Sequence, residues 1–162
     1  RLAGIRATAD YVFDTSNLTV HELRKSFMEL SVEHTSAELV LTVLSFGYKF
    51  GVPLESDLLF DVRFLTNPHF DPRLRELNGL DSQVQDYLDK LKPTHEFLDR
   101  TTDLLDFLIP EYRAEGKRYL TVGIGCTGGR HRSVSIAERL AAKILVGEGV
   151  SLRVQHRDME KS

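Results

Sequence analysis

The sequence predicts an α/β fold: a three-layer sandwich with a largely parallel sheet and a glycine-rich anion-binding loop between a strand and a helix. Three observations carry this. Apolar, β-branched runs alternate with stretches of helical periodicity, the pattern of parallel strands joined by crossover helices. The stretch Gly123-Ile124-Gly125-Cys126-Thr127-Gly128-Gly129 separates one such run from one such stripe. Over 162 residues, 41% hydrophobic and 28% charged residues supply a core and exclude bulk disorder.

The first strand is expected over 9–15, ending in turn residues. Thr19 and Glu22 have the spacing of a capping box, so a helix should run from Val20 to about Leu30. After a polar break at 33–36, the continuous apolar run 38–46 reads as a buried strand, followed by a loop bracketed by Gly47 and Gly51 and closed by Pro53. A second strand is expected over 58–64. It runs into a loop with two prolines, Pro68 and Pro72, that continues neither strand nor helix. Helices fit 81–91 and 94–115, with Pro93 between them and Gly116 as the stop signal. A central strand follows over 118–125. A helical stripe (Val134, Ile136, Ala137, Leu140, Ala141, Ile144) covers 133–145, and a last strand is expected over 150–155.

The length suits one domain, or one domain with a remnant of a second. Arg1 opens without an initiator Met, which reads as a fragment of a longer protein. A single cysteine excludes an internal disulfide framework and any multi-cysteine metal cluster. No apolar run approaches the ~18–20 residues of a membrane span, and no secretory leader is present, so a soluble cytoplasmic protein is expected. The net charge of −3 conceals an asymmetry: from Arg113 onward ten Lys/Arg face five Asp/Glu, and before it eleven face nineteen. A basic C-terminal third fits an anionic partner, phosphate or nucleic acid.

The loop 126–133 carries the chemistry. A glycine-rich turn into a helix points successive backbone N–H groups at one anion, and the helix N-terminus adds partial positive charge. Gly128 and Gly129 allow close approach. Arg130, His131 and Arg132 bring side-chain charge, and Arg132 can grip phosphate in bidentate fashion. Three such residues at a helix N-terminus oppose its dipole unless an anion sits there. The Lys-Ser/Thr of a Walker A loop is missing.

Cys126, Arg132 and Ser133 also have the spacing of a cysteine-dependent phosphatase, in which a thiolate attacks phosphorus and the arginine holds the equatorial oxygens. Asp71 is then the best candidate for the general acid, and a buried, inert cysteine is the competing reading. His69, between Pro68 and Phe70, completes the phosphate site or contacts a sugar hydroxyl if the strands ending near Phe64 and Gly125 are parallel neighbours. Histidines 21, 34 and 95 read as structural or solvent-facing, and no metal-ligand spacing is present.

The continuous segments from Asp61 to Pro72, Gly79 to Asp81 and Gly123 to Val134 resemble the RapZ/YvcJ family. The similarity extends from Asp14-Thr15-Ser16 and Val20-His21-Glu22-Leu23 to Gln155-His156-Arg157-Asp158. The resemblance implies that 1–35 are the last strand and helix of a P-loop domain and that 36–162 form the C-terminal ligand- and RNA-binding domain. In that family the P-loop domain binds and slowly hydrolyses ATP or GTP, so no cofactor and no nucleotide hydrolysis are expected here. The family's sugar-phosphate pocket maps onto His69, Thr127, Gly128 and Arg132, with Cys126, Gly129, Arg130, His131 and Ser133 around them. The implied ligand is glucosamine-6-phosphate or a related phosphate-bearing metabolite. The implied macromolecular partners are a small RNA and a ribonuclease or other regulatory protein, with a homodimer or higher oligomer as the assembly and no membrane. Lys49, Arg75, Arg130, Arg153 and Arg157 are the expected RNA contacts, while Asp158 and Glu160 dilute the basic tail.

Overall fold

The computed structural model describes Thr19, Leu23 and residues 39–161. The expected strand over 9–15 and nearly all of the expected helix from Val20 lie outside the described residues. At its start the Leu23 N–H donates to the Thr19 carbonyl at 2.9 Å, an α-helical turn. The chain divides into two units, Arg1–Ser36 and Ala37–Ser162. The second is built as β1 (Leu39–Gly47), β2 (Leu58–Asp61), α1 (Ser82–Asp89), α2 (Lys92–Ala114), β3 (Tyr119–Cys126), α3 (Arg132–Lys143) and β4 (Val150–His156). Short 3-10 turns at Tyr48–Phe50 and Pro68–Phe70 follow the first two strands.

The four strands form one sheet in the order β2-β3-β1-β4, and every pairing is parallel. This is the α/β class that the alternation of runs predicts. β1 is buried on both faces, as a central parallel strand must be. Leu39, Leu41 and Val43 project to the side where Leu98 and Leu105 of α2 and Ile136 and Leu140 of α3 complete the core with Leu120, Val122 and Ile124 of β3.

Two boundaries differ from expectation for local reasons. β2 stops at Asp61 rather than Phe64, because the Asp61 carboxylate accepts the Arg63 N–H at 2.9 Å and Leu65 N–H closes a turn onto the Val62 carbonyl. Pro93 lies inside the first turn of α2 instead of separating two helices; there the missing N–H costs nothing. Gly116, at φ 92°, ends α2, and Lys117 N–H returns to the Tyr112 carbonyl at 2.9 Å.

The topology positions the site. β1 connects to β2 on the far side of β3, whereas β3 connects through α3 to β4 on the far side of β1. The two connections leave in opposite directions, which opens a crevice at the carboxyl ends of β1 and β3. In register, Gly47 lies opposite Cys126 and Asp61 opposite Gly125, so three strands end at one level.

Candidate functional site

β3 ends at Cys126 and α3 begins at Arg132, so residues 127–131 form the strand-to-helix turn at that crevice. The turn packs backbone against backbone. A Cβ on Gly47 would lie 2.6 Å from the Gly128 carbonyl carbon, and one on Gly129 would lie 2.7 Å from the Gly47 nitrogen. Gly129 also sits at φ 76°, the left-handed region where glycine is favoured. Gly128 differs: a Cβ there meets nothing within 4 Å, and the exposed Thr127 precedes it. The open side of the loop is therefore the Thr127–Gly128 side. Lys49 N–H donates to the Thr127 carbonyl at 3.0 Å and ties the turn after β1 to the loop.

Arg132 lies beneath this loop, with only 4% of its surface exposed. One terminal nitrogen donates to the Arg63 and Leu65 carbonyls at 3.0 and 2.9 Å, and the other to Thr127 Oγ1 at 3.1 Å. Its Nε is buried and has no hydrogen-bond partner. Among the described residues no carboxylate forms an ion pair with it, so the cation is desolvated and its hydrogen bonds go only to neutral oxygens.

The other two basic residues of the loop point elsewhere. Arg130 donates to the Leu77 and Glu76 carbonyls at 3.0 and 2.6 Å, bracing the segment before Gly79. His131 is buried, and its Nε2–H donates to the Leu74 carbonyl at 3.1 Å. Burial pushes this imidazole below its ordinary value, more than that carbonyl restores. His131 thus enters the site neutral, against the expectation that all three add charge. The unfolded chain takes up the proton first, near pH ~6.5, so the stability gained from a neutral His131 is complete above that pH and is lost as pH falls below it. The melting temperature is expected to fall from pH 7 to pH 5.5 and to fall less steeply in His131→Gln; an unchanged slope in that variant would exclude the role.

Cys126 is 3% exposed; its Sγ accepts the Gly129 N–H at 3.3 Å and lies 3.1 Å from Ser133 Oγ. These contacts close the loop upon itself. His69 is exposed beside His131, with ring centroids 6.2 Å apart, and so stands at the rim as the adjacency of β2 and β3 requires. Asp71 is turned onto Arg73, whose side-chain hydrogen bonds carry its carboxyl down to about 2; it holds no proton to donate at neutral pH. Among the described residues no cluster of metal-binding side chains occurs.

Of the expected RNA contacts, Lys49 and Arg157 come together. Lys49 Nζ stands 5.1 Å from the Phe50 ring centroid, and Arg157 donates to the Gly51 carbonyl at 2.6 Å. Lys161, absent from the sequence reading, joins them at 5.3 Å from the same ring. Arg75 lies apart, donating to the His69 carbonyl at 3.2 Å, and Arg153 is exposed on β4 opposite Thr42, about 10 Å before the strand's end.

Four further residues belong to the site. Asp61 and Arg63 form a forked ion pair with a shortest contact of 2.6 Å, and the Arg63 guanidinium stacks 4.1 Å from the centre of the Tyr48 ring. Burial and the Asp61 charge push the Tyr48 hydroxyl up. Asp158 is fully buried behind the loop, where it accepts the Gly47 N–H at 2.8 Å and pairs with Arg157 and Lys161. Burial works against its ionisation, but these donors hold its carboxyl below the usual carboxylate range. Asp61 and Asp158 both lie in segments that carry the family resemblance, but the expected strand ran past Asp61 to Phe64 and nothing local assigned either carboxylate a place in the site.

Fold and site together define an α/β domain with a cationic glycine loop at a topological switch point. Residues 39–160 match the RapZ C-terminal domain, and the chain belongs to that family. It is 51% identical to the nucleotide-binding protein GSU1884 of Geobacter sulfurreducens over 162 residues, covering 99% of this chain and 56% of that protein. A nucleotide-binding protein of Rubrobacter xylanophilus is 51% identical over 98% of this chain and 53% of its own length. Nucleotide-binding protein Bcer98_3698 of Bacillus cytotoxicus is 45% identical over 99% and 54%. The chain spans about half the length of these curated relatives. Among the described residues no helix is long and apolar enough to cross a membrane.

Proposed function

We propose that this domain is a cytoplasmic regulatory binding module that holds a phosphorylated amino sugar such as glucosamine-6-phosphate on the loop 126–133. Small RNA is its macromolecular partner, and no turnover takes place. The observation that carries the reading is Arg132, a buried cation with an unpartnered Nε and, among the described residues, no carboxylate ion-paired to it, below a loop whose Gly128 side is open. A phosphate supplies the missing counter-charge and acceptors. The cluster of Lys49, Arg157 and Lys161 around Phe50 offers an RNA backbone cations and an aromatic face.

The phosphatase reading is favoured by the Gly129 N–H and the Ser133 hydroxyl on Cys126, a donor set suited to a thiolate. It lacks an acid, because Asp71 is ionised. The test is calorimetric titration with glucosamine-6-phosphate, with inorganic phosphate and UDP-N-acetylglucosamine as controls. The sugar phosphate is expected to bind well above phosphate. In Gly128→Ala the added methyl enters open space, so stability should stay within ~1 kcal/mol of wild type while sugar-phosphate affinity falls about tenfold or more. Unchanged affinity would remove this loop from the site, and release of phosphate that depends on Cys126 would favour the enzyme.

A further inference from the structure

The outer face of α2 takes no part in the anion site, yet it is not the polar face that a solvated helix presents. Leu98, Thr101, Leu105 and Ile109 form the buried side of the helix. On the other side Leu104 is 41% and Phe107 64% exposed. Neither belongs to the core, and at i and i+3 they are neighbours on the helix surface. Phe97 continues the patch toward β2: its ring centroid lies 6.0 Å from that of Phe60 and 5.7 Å from that of the exposed Phe64.

Charge flanks this patch with opposite signs at its two ends. Phe97, Arg100, Leu104, Phe107, Glu111 and Ala114 recur at alternating steps of three and four residues, the spacing of a coiled-coil seam. One stripe thus reads aromatic, basic, apolar, aromatic, acidic, small. The Arg100 side chain is 78% exposed and pairs with Glu96 of its own helix at 2.8 Å, a surface contact that exchanges at little cost. Glu111 is exposed and forms no ion pair among the described residues. Asp99 is turned off the seam onto Lys143 of α3 at 2.7 Å.

Such a stripe fits itself better than it fits a helix of one charge sign. A basic partner would meet Arg100, and an acidic one would meet Glu111. Two copies packed parallel and in register would set Arg100 on Arg100 and Glu111 on Glu111, like charges in contact. Antiparallel packing, with a two-fold axis midway between Leu104 and Phe107, sets Leu104 against Phe107 of the second copy, Arg100 against its Glu111 and Phe97 against its Ala114. Each pair then occurs twice, as an isologous interface requires. Every pair joins opposite charges or a larger apolar side chain to a smaller one.

We infer that the outer face of α2 is the docking surface for a second copy of this chain, the two helices packing antiparallel along the seam 97–114. Exposed apolar surface is covered, and the Glu96 pair of Arg100 is exchanged for Glu111 of the second copy.

The experiment is sedimentation equilibrium of this chain as wild type, Arg100→Glu, Glu111→Arg and the double variant, with thermal melts of dilute samples as a check of folding. Wild type is expected to associate reversibly. Each single reversal should weaken association by about tenfold or more, because it sets like charges opposite each other at both ends of the seam. The double variant restores the opposition with the signs exchanged and should return to within about threefold of wild type. Leu104→Ser combined with Phe107→Ser should weaken association as well while leaving the dilute melting temperature unchanged, since both side chains are exposed. A wild type that stays monomeric overturns the inference. Association that the single reversals leave unchanged lies on another face and overturns it too. Loss in both single variants without recovery in the double overturns the antiparallel register, and the inference with it.

Discussion

Replacing Arg132 by alanine is expected to weaken binding of a phosphate ligand by ~1.5–3 kcal/mol, roughly 10- to 150-fold, the usual worth of hydrogen bonds to a charged group. The same change is expected to destabilise the fold by about 3 kcal/mol, lowering the melting temperature by roughly 10 °C. The two effects have one cause. The guanidinium fastens the segment after β2 through the Arg63 and Leu65 carbonyls and reaches the loop through Thr127 Oγ1. Without it, buried acceptors lose a charged donor, and the loop loses its only inward-facing cation among the described residues. Part of the loss is offset because a desolvated charge is removed as well. Arg132→Met separates the contributions, since it restores volume but not charge: stability should recover partly, and phosphate binding should not. Phosphate affinity unchanged in both variants would sink the assignment.

Such a residue is a poor choice for stability alone. A cation with no carboxylate partner pays its desolvation in the free protein, and an apolar side chain of equal volume would avoid that cost. Its position at the N-terminus of α3, where the helix dipole disfavours positive charge, adds to the expense. An anion at the loop is attracted by both the guanidinium and the helix N-terminus and so offsets both costs. Asp158 supports the loop from behind in the complementary sense: it pairs with Arg157 and Lys161, offsetting one of their two charges, while fixing Gly47, the glycine against which Gly128 and Gly129 pack.

The fold was largely legible because its central strands, β1 and β3, are buried on both faces, where hydrophobic run length marks them. β1, β3 and β4 fall within a residue or two of expectation. β2 was overextended because Val62, Phe64 and Leu65 are apolar for reasons other than pairing: Val62 and Leu65 pack into the core, and Phe64 lies against Phe97. The residues placed the loop between β3 and α3 but not the direction of its side chains. Arg130 and Arg132 were both expected to bring charge to the loop, yet one faces the Glu76 and Leu77 carbonyls and the other lies under the loop. His131 reads as a cation until its burial is known. Tail acidity, read as dilution of a basic surface, includes the carboxylate that anchors β1. Such long-range pairings, more than a hundred residues apart in the case of Gly47 and Asp158, leave no local pattern.

Gly79→Ala is expected to destabilise the domain by about 3 kcal/mol or more, the upper range for overpacking against structure that cannot yield. The reason is space rather than backbone conformation. A Cβ at Gly79 would stand 2.3 Å from the His131 carbonyl oxygen and 2.6 Å from both the Ser135 nitrogen and Val134 Cβ. That carbonyl and that N–H form the first hydrogen bond of α3, at 3.0 Å, so the methyl group would enter the turn from which Arg132 projects. Retreat is blocked as well. Gly79 N–H is held by the Arg130 carbonyl at 2.9 Å, and the Asp81 and Asn78 side chains clamp the Asn78 and Leu80 N–H groups on either side. Either the 78–81 turn gives up these bonds, or the start of α3 moves and Arg132 moves with it. Thermal unfolding should therefore show a fall of roughly 10 °C, and whatever folded protein remains should bind phosphate more weakly. A variant melting within about 2 °C of wild type would mean that the turn can slide, and that the close approach of Gly79 does not set the position of the helix from which Arg132 projects.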